Sequence, residues 1–343
     1  MTDFPMQAAR RHSPRAGAAG LPWPRILTVA LLVGAAWLVL YAARGYTAFQ
    51  LATVIASVVA LMGVQFLIGT SGQISLGHGA FFAVGAYAAA LCVDRGWAPY
   101  WLTIPVAGVV GYVGGLLFGL PAVRLAGPYL ALATFALALA LPQVLKHPAL
   151  ESFTGGVAGI NLDTPLPPFS VPLDGDQWML AVVALAAVLI HLMLRRLAAG
   201  PTGIALRALR DQPAAALAAG IPVRRWRAQA FAISAAVVAM AGAMQALLTH
   251  FVSPDAFTVL LSLGFVAGVV VGGTGHGLGP VIGAMFLVFV PGMAENISKA
   301  ATGLVYGALM LGCVFIAPHG LAGVLSRCAD WLRRRRARAS AQP

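Results

Sequence analysis

The sequence predicts an all-α fold, a polytopic transmembrane helical bundle of about ten spans. Composition points there first: of 343 residues, 60% are hydrophobic and 9% charged, where a soluble domain carries roughly 25% charged residues. Mean hydropathy is +0.86. So few charges cannot clothe a water-facing surface, so most of the chain must face lipid or other apolar helices. The second observation is repetition. Apolar runs of about span length recur along the chain, separated by breaks rich in glycine, proline or arginine. The third is that basic residues cluster at the ends of those runs.

Residues 1–24 are polar and rich in Pro, Gly, Ala and Arg, with Arg10, Arg11 and Arg15, and are expected to form a disordered basic N-terminus. The run that follows is long for a signal peptide and precedes further spans, so it reads as an uncleaved first helix. The expected spans are 26–43, 48–68, 78–93, 100–120, 128–145, 178–194, 228–250, 257–272, 279–294 and 301–317. They fall within a transmembrane domain 25–325, which contains a long loop 197–227 and is followed by a basic tail 326–343. With a cytoplasmic N-terminus, ten spans put eighteen of the 22 basic residues inside; Arg44, Arg95, Lys146 and Lys299 stay outside. The opposite orientation inverts that ratio, so both termini are expected in the cytoplasm. The external loop 146–177 is then acidic, with Glu151, Asp163, Asp174 and Asp176.

Several function classes are excluded by what is absent. The formal charge of +12 is spread as arginine clusters at span ends, without the basic and aromatic interleaving of a nucleic-acid surface. The only two lysines, Lys146 and Lys299, follow Leu145 and Ser298, so neither completes a phosphate-binding GxxxxGK[ST] loop. Any ATP-driven process therefore needs another subunit. Cys92, Cys313 and Cys328 have no metal-ligand or paired spacing and read as small apolar residues. No HExxH, GxSxG or clustered carboxylates suggest a membrane enzyme, and no metal or cofactor is expected. No expected span holds Asp or Glu in its interior, which disfavours a self-contained proton-driven carrier.

Three segments carry candidate function. Gly69-Thr70-Ser71-Gly72-Gln73-Ile74-Ser75-Leu76-Gly77-His78-Gly79-Ala80-Phe81-Phe82 places four glycines, hydroxyls and an amide between two apolar spans. Such a stretch reads either as a discontinuous helix at membrane depth, where backbone can line a pathway, or as an ordinary turn. Gly272-Gly273-Thr274-Gly275-His276-Gly277-Leu278-Gly279-Pro280 occupies a corresponding place later, on the same side. The third is 197–227, where helix-favouring Ala and Leu flank Pro213, Gly220 supplies a stop and Pro222 follows. A short amphipathic helix pair flanked by arginines could lie on lipid head groups or dock a soluble partner. The glycine stripes Gly111/Gly115/Gly119 and Gly264/Gly268/Gly272 suit close helix packing.

These segments together resemble the permeases of branched-chain amino-acid ABC importers, of the LivM-like kind, from about residue 48 to 325. The resemblance rests on Ser75-Leu76-Gly77-His78-Gly79-Ala80-Phe81-Phe82 with Gly85-Ala86-Tyr87, and on Gly127-Pro128-Tyr129-Leu130-Ala131 leading to Thr134. It continues through Thr154-Gly155-Gly156 with Gly159, then Gly203 with Ala205-Leu206-Arg207-Ala208-Leu209-Arg210-Asp211. Ser253-Pro254-Asp255-Ala256-Phe257, Gly272-Gly273 with Gly279-Pro280, and Pro318-His319-Gly320-Leu321 complete it.

The resemblance implies a multi-pass inner-membrane subunit of an importer that also holds a sister permease, two ATP-binding subunits and a periplasmic binding protein. The cargo would be a branched-chain amino acid. Candidate pathway residues are Gln73, Ser75, Gly77, His78, Gly79, Phe81, Tyr129, Thr134, Gly272 and Gly273. Candidate ATPase-coupling residues are Arg207, Ala208, Arg210, Asp211, Ala215 and Gly220. The chain departs from the family pattern at Gly127-Pro128-Tyr129, for Gly-Asp-Tyr, and at Ala136 to Leu141 with Pro142-Gln143, for a Gly-Glu-Ile-like string. Urea or a short-chain amide is the alternative cargo within the class; a stand-alone channel or secondary carrier is the alternative outside it.

Overall fold

A computed structural model describes residues 42–122, 124, 128–163, 173–275, 277–297, 302–316 and 320–323. The stretch 1–24, the tail 326–343 and all but the last two residues of the first expected span lie outside them. The other nine expected spans are all helices: α1 Tyr46–Phe66, α2 His78–Asp94, α3 Tyr100–Ala122, α4 Pro128–Leu145, α5 Gly175–Ala199, α8 Val223–Thr249, α9 Val259–Gly272, α10 Gly279–Ile297 and α11 Thr302–Ile316. Two short helices, α6 Pro201–Asp211 and α7 Pro213–Ala218, fill the long loop. Among the described residues, seven helical stretches are long and apolar enough to cross a membrane, with α2 and part of α11 as shorter apolar helices.

Local chemistry sets the boundaries. A capping box between Asp174 and Gln177 starts α5, and the Gln177 amide also donates to the Ala43 carbonyl at 3.0 Å. Helix α5 ends at Gly200, and Pro201 opens α6 in the first-turn position, where its missing N–H costs nothing. Pro213 repeats the device for α7, and Gly220, with φ +82°, turns the chain toward α8. Helices α5 and α8 run several residues past the expected 178–194 and 228–250. Arg195, Arg196, Arg224, Arg225 and Arg227 carry them on, because arginine favours helix and is at home at the membrane surface.

Connections gather at two ends. At one, the Arg210 guanidinium donates to the Gly69 carbonyl, and Gln73 Nε2 donates to the Arg227 carbonyl at 3.2 Å. Gln65 Nε2 reaches the Thr274 carbonyl there at 3.1 Å. At the other, Lys146 pairs with Asp255, Arg95 Nη2 donates to the Ser152 carbonyl at 2.9 Å, and the strands β1 Ile160–Asn161 and β2 Phe251–Val252 pair antiparallel. The first end holds Arg124, Arg195, Arg196, Arg207, Arg210, Arg224, Arg225 and Arg227; every described acidic residue except Asp211 lies at the second.

Helix α8 is the axis of the bundle. In its apolar window 83% of residues are buried, against 17% in α4, so α8 packs on protein while α4 presents most of its surface outward. Its sequence explains the position: Ala228, Ala230, Ala232, Ala235, Ala239, Gly242, Ala243 and Ala246 let neighbouring backbones close in. Lipid gives no hydrophobic drive between helices, so tight van der Waals contact must hold them. A Cβ on Gly85 of α2 would overlap the Ala239 carbonyl, and one on Gly242 would overlap the Phe82 carbonyl. Gly111, Gly115 and Gly119 of α3 face Ala239, Ala235 and Phe231. In the second stripe Gly268 lies against Leu287 and Leu61, and Gly272 against Gly279. The first expected stripe is thus a buried packing face, as are Gly268 and Gly272 of the second, while Gly264 is half-buried.

Candidate functional site

The segment after α1 is a broken helix. The last turn widens into a π-turn, Leu67–Ser71, and Gly72, with φ +68°, ends it in the left-handed region. Residues 72–77 then run without regular structure to the first residue of α2, His78. π-Turns are uncommon and leave carbonyls poorly paired. Here the Thr70 and Ser71 hydroxyls donate back to the Phe66 and Leu67 carbonyls, at 2.5 and 2.7 Å.

Neighbouring helices supply the hydrogen bonds that the start of α2 lacks. Thr134 of α4 accepts from the Leu76 N–H at 2.9 Å, and its own hydroxyl donates to the Ala131 carbonyl at 3.0 Å. Ser75 Oγ accepts from the Gly77 N–H at 3.3 Å, and Ser262 of α9 accepts from the Gly79 N–H at 2.9 Å. The close fit needs glycine: a Cβ on Gly77 would sit 2.6 Å from the Thr134 carbonyl oxygen. Orphan N–H groups at a helix start must find such partners where water is scarce.

His78 is buried, with Nε2 2.7 Å from Ser234 Oγ, and that hydroxyl donates to the Gly63 carbonyl at 2.8 Å. One histidine thus ties α2 to α8 and α1. Its ring packs against Phe231 and Phe81, with centroids 5.7 and 6.1 Å away. Gln73, also buried, donates to Ser71 Oγ at 3.0 Å as well as to Arg227.

Of the candidate pathway residues, Gln73, Ser75, Gly77, His78, Gly79, Phe81 and Thr134 converge on this start of α2. Gly272 and Gly273 stand at the neck of the second glycine-rich loop, where Gly320, with φ +76°, lies against their backbone. That loop reaches the end of α1, just before the first one, through Gln65 and Thr274. Tyr129 does not join them; it is 67% exposed on α4. Sequence reading missed Ser234, Ser262 and Phe231. Each is an ordinary residue of an apolar helix, and no local pattern marks it.

The coupling candidates form the adjoining surface. Helix α6 buries Gly203, Leu206 and Leu209, and Arg207 Nη1 donates to the Ala198 carbonyl at 2.8 Å. Arg210 extends its stem across Gly72, donates to Gly69 and pairs with Asp211 at 2.8 Å. In α7 only Ala216 is buried, leaving Ala215 and Leu217 exposed, as is Gly220 beyond its end. Arg224 and Arg225 crowd the N-terminus of α8, where the helix dipole disfavours cations. Helix stability therefore does not account for their placement. Among the described residues no group of His, Cys, Asp or Glu could hold a metal ion.

The family model described as the permease component of the branched-chain amino-acid transport system matches residues 46–314, from the first residue of α1 nearly to the end of α11. The chain belongs to this family. The permease is 32% identical over 323 residues to the high-affinity branched-chain amino-acid transport system permease protein LivM of Escherichia coli K12, covering 87% of its own length and 74% of that protein. It is 30% identical over 236 residues to a probable LivM of Methanocaldococcus jannaschii, covering 64% and 67% of the two chains. It is also 28% identical over 299 residues to a probable LivH of the same organism, covering 80% and 89%. No solved structure matches the permease.

Proposed function

We propose that this permease is the membrane subunit of an ATP-driven importer of branched-chain amino acids, with α6 and α7 docking on an ATPase subunit. The contact of Arg210 with Gly69 and Gly72 carries the reading. It joins an exposed helix pair, on which a soluble motor could push, to the π-turn and loop that precede α2. Motion of α6 by a few ångströms would break or re-form that contact, giving the motor a way to bias two packings of the loop. A sister permease of the same family, related as LivM is to LivH, would complete the pathway. A binding protein would deliver the amino acid to the acidic end. The basic end, with both chain termini, would face the cytoplasm of the bacterial inner membrane.

Replacement of Arg210 and Asp211 together by alanine tests the docking. The doubly substituted chain should insert normally, yet retain at most about one fifth of the ATPase subunit in a pull-down, as expected for a loss of about 1 kcal/mol, with uptake falling in parallel. Association and uptake equal to those of the unaltered chain would refute the assignment. Accumulation of urea in place of leucine would refute the cargo.

A further inference from the structure

A cavity of about 560 Å³ lies inside the bundle, away from the start of α2. It is an open cleft lined by five helices: Thr53 and Ser57 come from α1, Phe82 and Ala86 from α2, Gln245 and Thr249 from α8, Phe265 from α9 and Leu287 from α10. It reaches the acidic end through β2 and Phe257. Along one wall Phe82 meets Phe265, with ring centroids 5.4 Å apart, and Phe257 at 6.2 Å. Phe82 is the fifth residue of α2 and Ser262, the partner of Gly79, lies one turn of α9 from Phe265. Phe82 and Phe265 thus form a wall of the cavity beside the glycine-rich start of α2. Ser57 stands eleven residues into α1, about 16 Å along a helix rising 1.5 Å per residue, near the middle of a bilayer core about 30 Å thick.

The lining chemistry selects the occupant. No charged side chain lines the cavity, so a solute burying a net charge there would find no counter-charge. The walls are mostly aliphatic and aromatic, with a few polar groups at one side. The Ser57 hydroxyl is engaged by its own helix, donating to the Thr53 carbonyl at 2.9 Å. Thr53 Oγ1 is buried and has no hydrogen-bond partner among the described residues. A buried hydroxyl in that state is uncommon and calls for a partner. The volume lies within the usual range for small-molecule sites, about 300–1,000 Å³.

We propose that this cavity is the permease's own substrate site. It takes the aliphatic side chain of an uncharged-side-chain amino acid against Phe82 and Phe265, with Thr53 and Gln245 hydrogen-bonding the polar end. The proposal rests on the cargo class proposed above and adds the place where that cargo is selected. Phe82 is the fifth residue of α2, so the site borders the start of the helix that follows the loop held by Arg210. Urea, which has no apolar part, gains nothing from these walls.

Two variants and a labelling experiment test it. In vesicles holding the permease with its partner subunits, Ala86→Phe fills the cavity. It should cut leucine uptake at least about tenfold, the scale on which pockets discriminate by a methylene or more, while alanine uptake changes less than about twofold. Thr53→Cys, with the native cysteines replaced by alanine, should react with a small methanethiosulfonate reagent in the purified assembly. Leucine should slow that reaction and urea should not. Absence of leucine uptake by the unaltered assembly overturns the cargo class; labelling of Thr53→Cys slowed by leucine would still support the cavity. Normal leucine uptake by Ala86→Phe, or labelling that leucine leaves unchanged, overturns the cavity assignment alone. Should Ala86→Phe fail to fold, the labelling result decides.

Discussion

Replacing Gly115 by alanine adds one methyl group at a close contact between α3 and α8. The new Cβ would lie 2.7 Å from Ala235 Cβ and 2.8 Å from Ala232 Cα. Carbon atoms pack at about 3.5–4.0 Å, so α3 must withdraw from α8 by about 0.8 Å or more. Neither obstacle can swing aside, because one is backbone and the other a methyl fixed to it. Such overpacking costs about 1–3 kcal/mol. The adjacent residue is the control. At Gly114 a Cβ would meet only Phe81 Cε1, at 3.8 Å, an ordinary contact, and alanine there gains up to about 1 kcal/mol of helix propensity. Gly115→Ala has the same propensity gain, so the two single-methyl variants should differ by the overpacking cost alone, about 1–3 kcal/mol. At roughly 2–4 °C per kcal/mol, the gap in thermal midpoint is roughly 2–12 °C. Heating the purified variants in detergent and following monodisperse elution on a sizing column measures it. Equal midpoints for Gly114→Ala and Gly115→Ala would refute the claim that close backbone approach holds α3 to α8.

Thr134→Val removes the acceptor for the Leu76 N–H and should lower stability by about 1–3 kcal/mol, while Thr134→Ser retains it; the same thermal assay separates them. The Lys146–Asp255 pair joins side chains that are 27% and 65% exposed. A double-mutant cycle should therefore return no more than about 1 kcal/mol, less still at high salt; a coupling of several kcal/mol would contradict the exposed geometry. Orientation is checked in intact cells with a membrane-impermeant maleimide. Val157→Cys, 66% exposed in the native chain at the acidic end, should be labelled, and Ala218→Cys in α7 should not. The reverse pattern would invert the topology.

Much of the fold was legible because a bilayer restricts the options so severely. Apolar length, arginine-rich ends and breaker residues located nine helices within a few residues of their ends, and 128–145 matches α4. The same signals anticipated the helix pair around Pro213 and the stop at Gly220. Spacing alone found Gly111, Gly115 and Gly119, since three residues of one type on one helix face leave a periodic mark. The candidate site was legible only in part. The segment 69–82 stood out by composition, and seven of the residues singled out do converge there. Their partners did not stand out: Ser234 and Ser262 are single hydroxyls in apolar helices, 156 and 183 residues from His78 and Gly79. Tyr129 failed for the converse reason. It belongs to a recognisable string, but the helical phase of α4 turns it outward while Thr134, five residues on, turns in.

The sequence by itself determined that this chain lives in a membrane as a bundle of helices, which end faces which charge, and the family to which it belongs. Those properties follow from local composition and period, and they hold whatever the helices pack against. Only the tertiary structure decided that α8 is the axis, that hydroxyls on α4 and α9 cap the start of α2, that Arg210 reaches Gly69, and that five helices line an uncharged cleft. Each of those depends on contacts between residues far apart in the chain. In lipid such contacts are selected by shape and hydrogen bonding, which leave no periodic trace in the sequence of either partner.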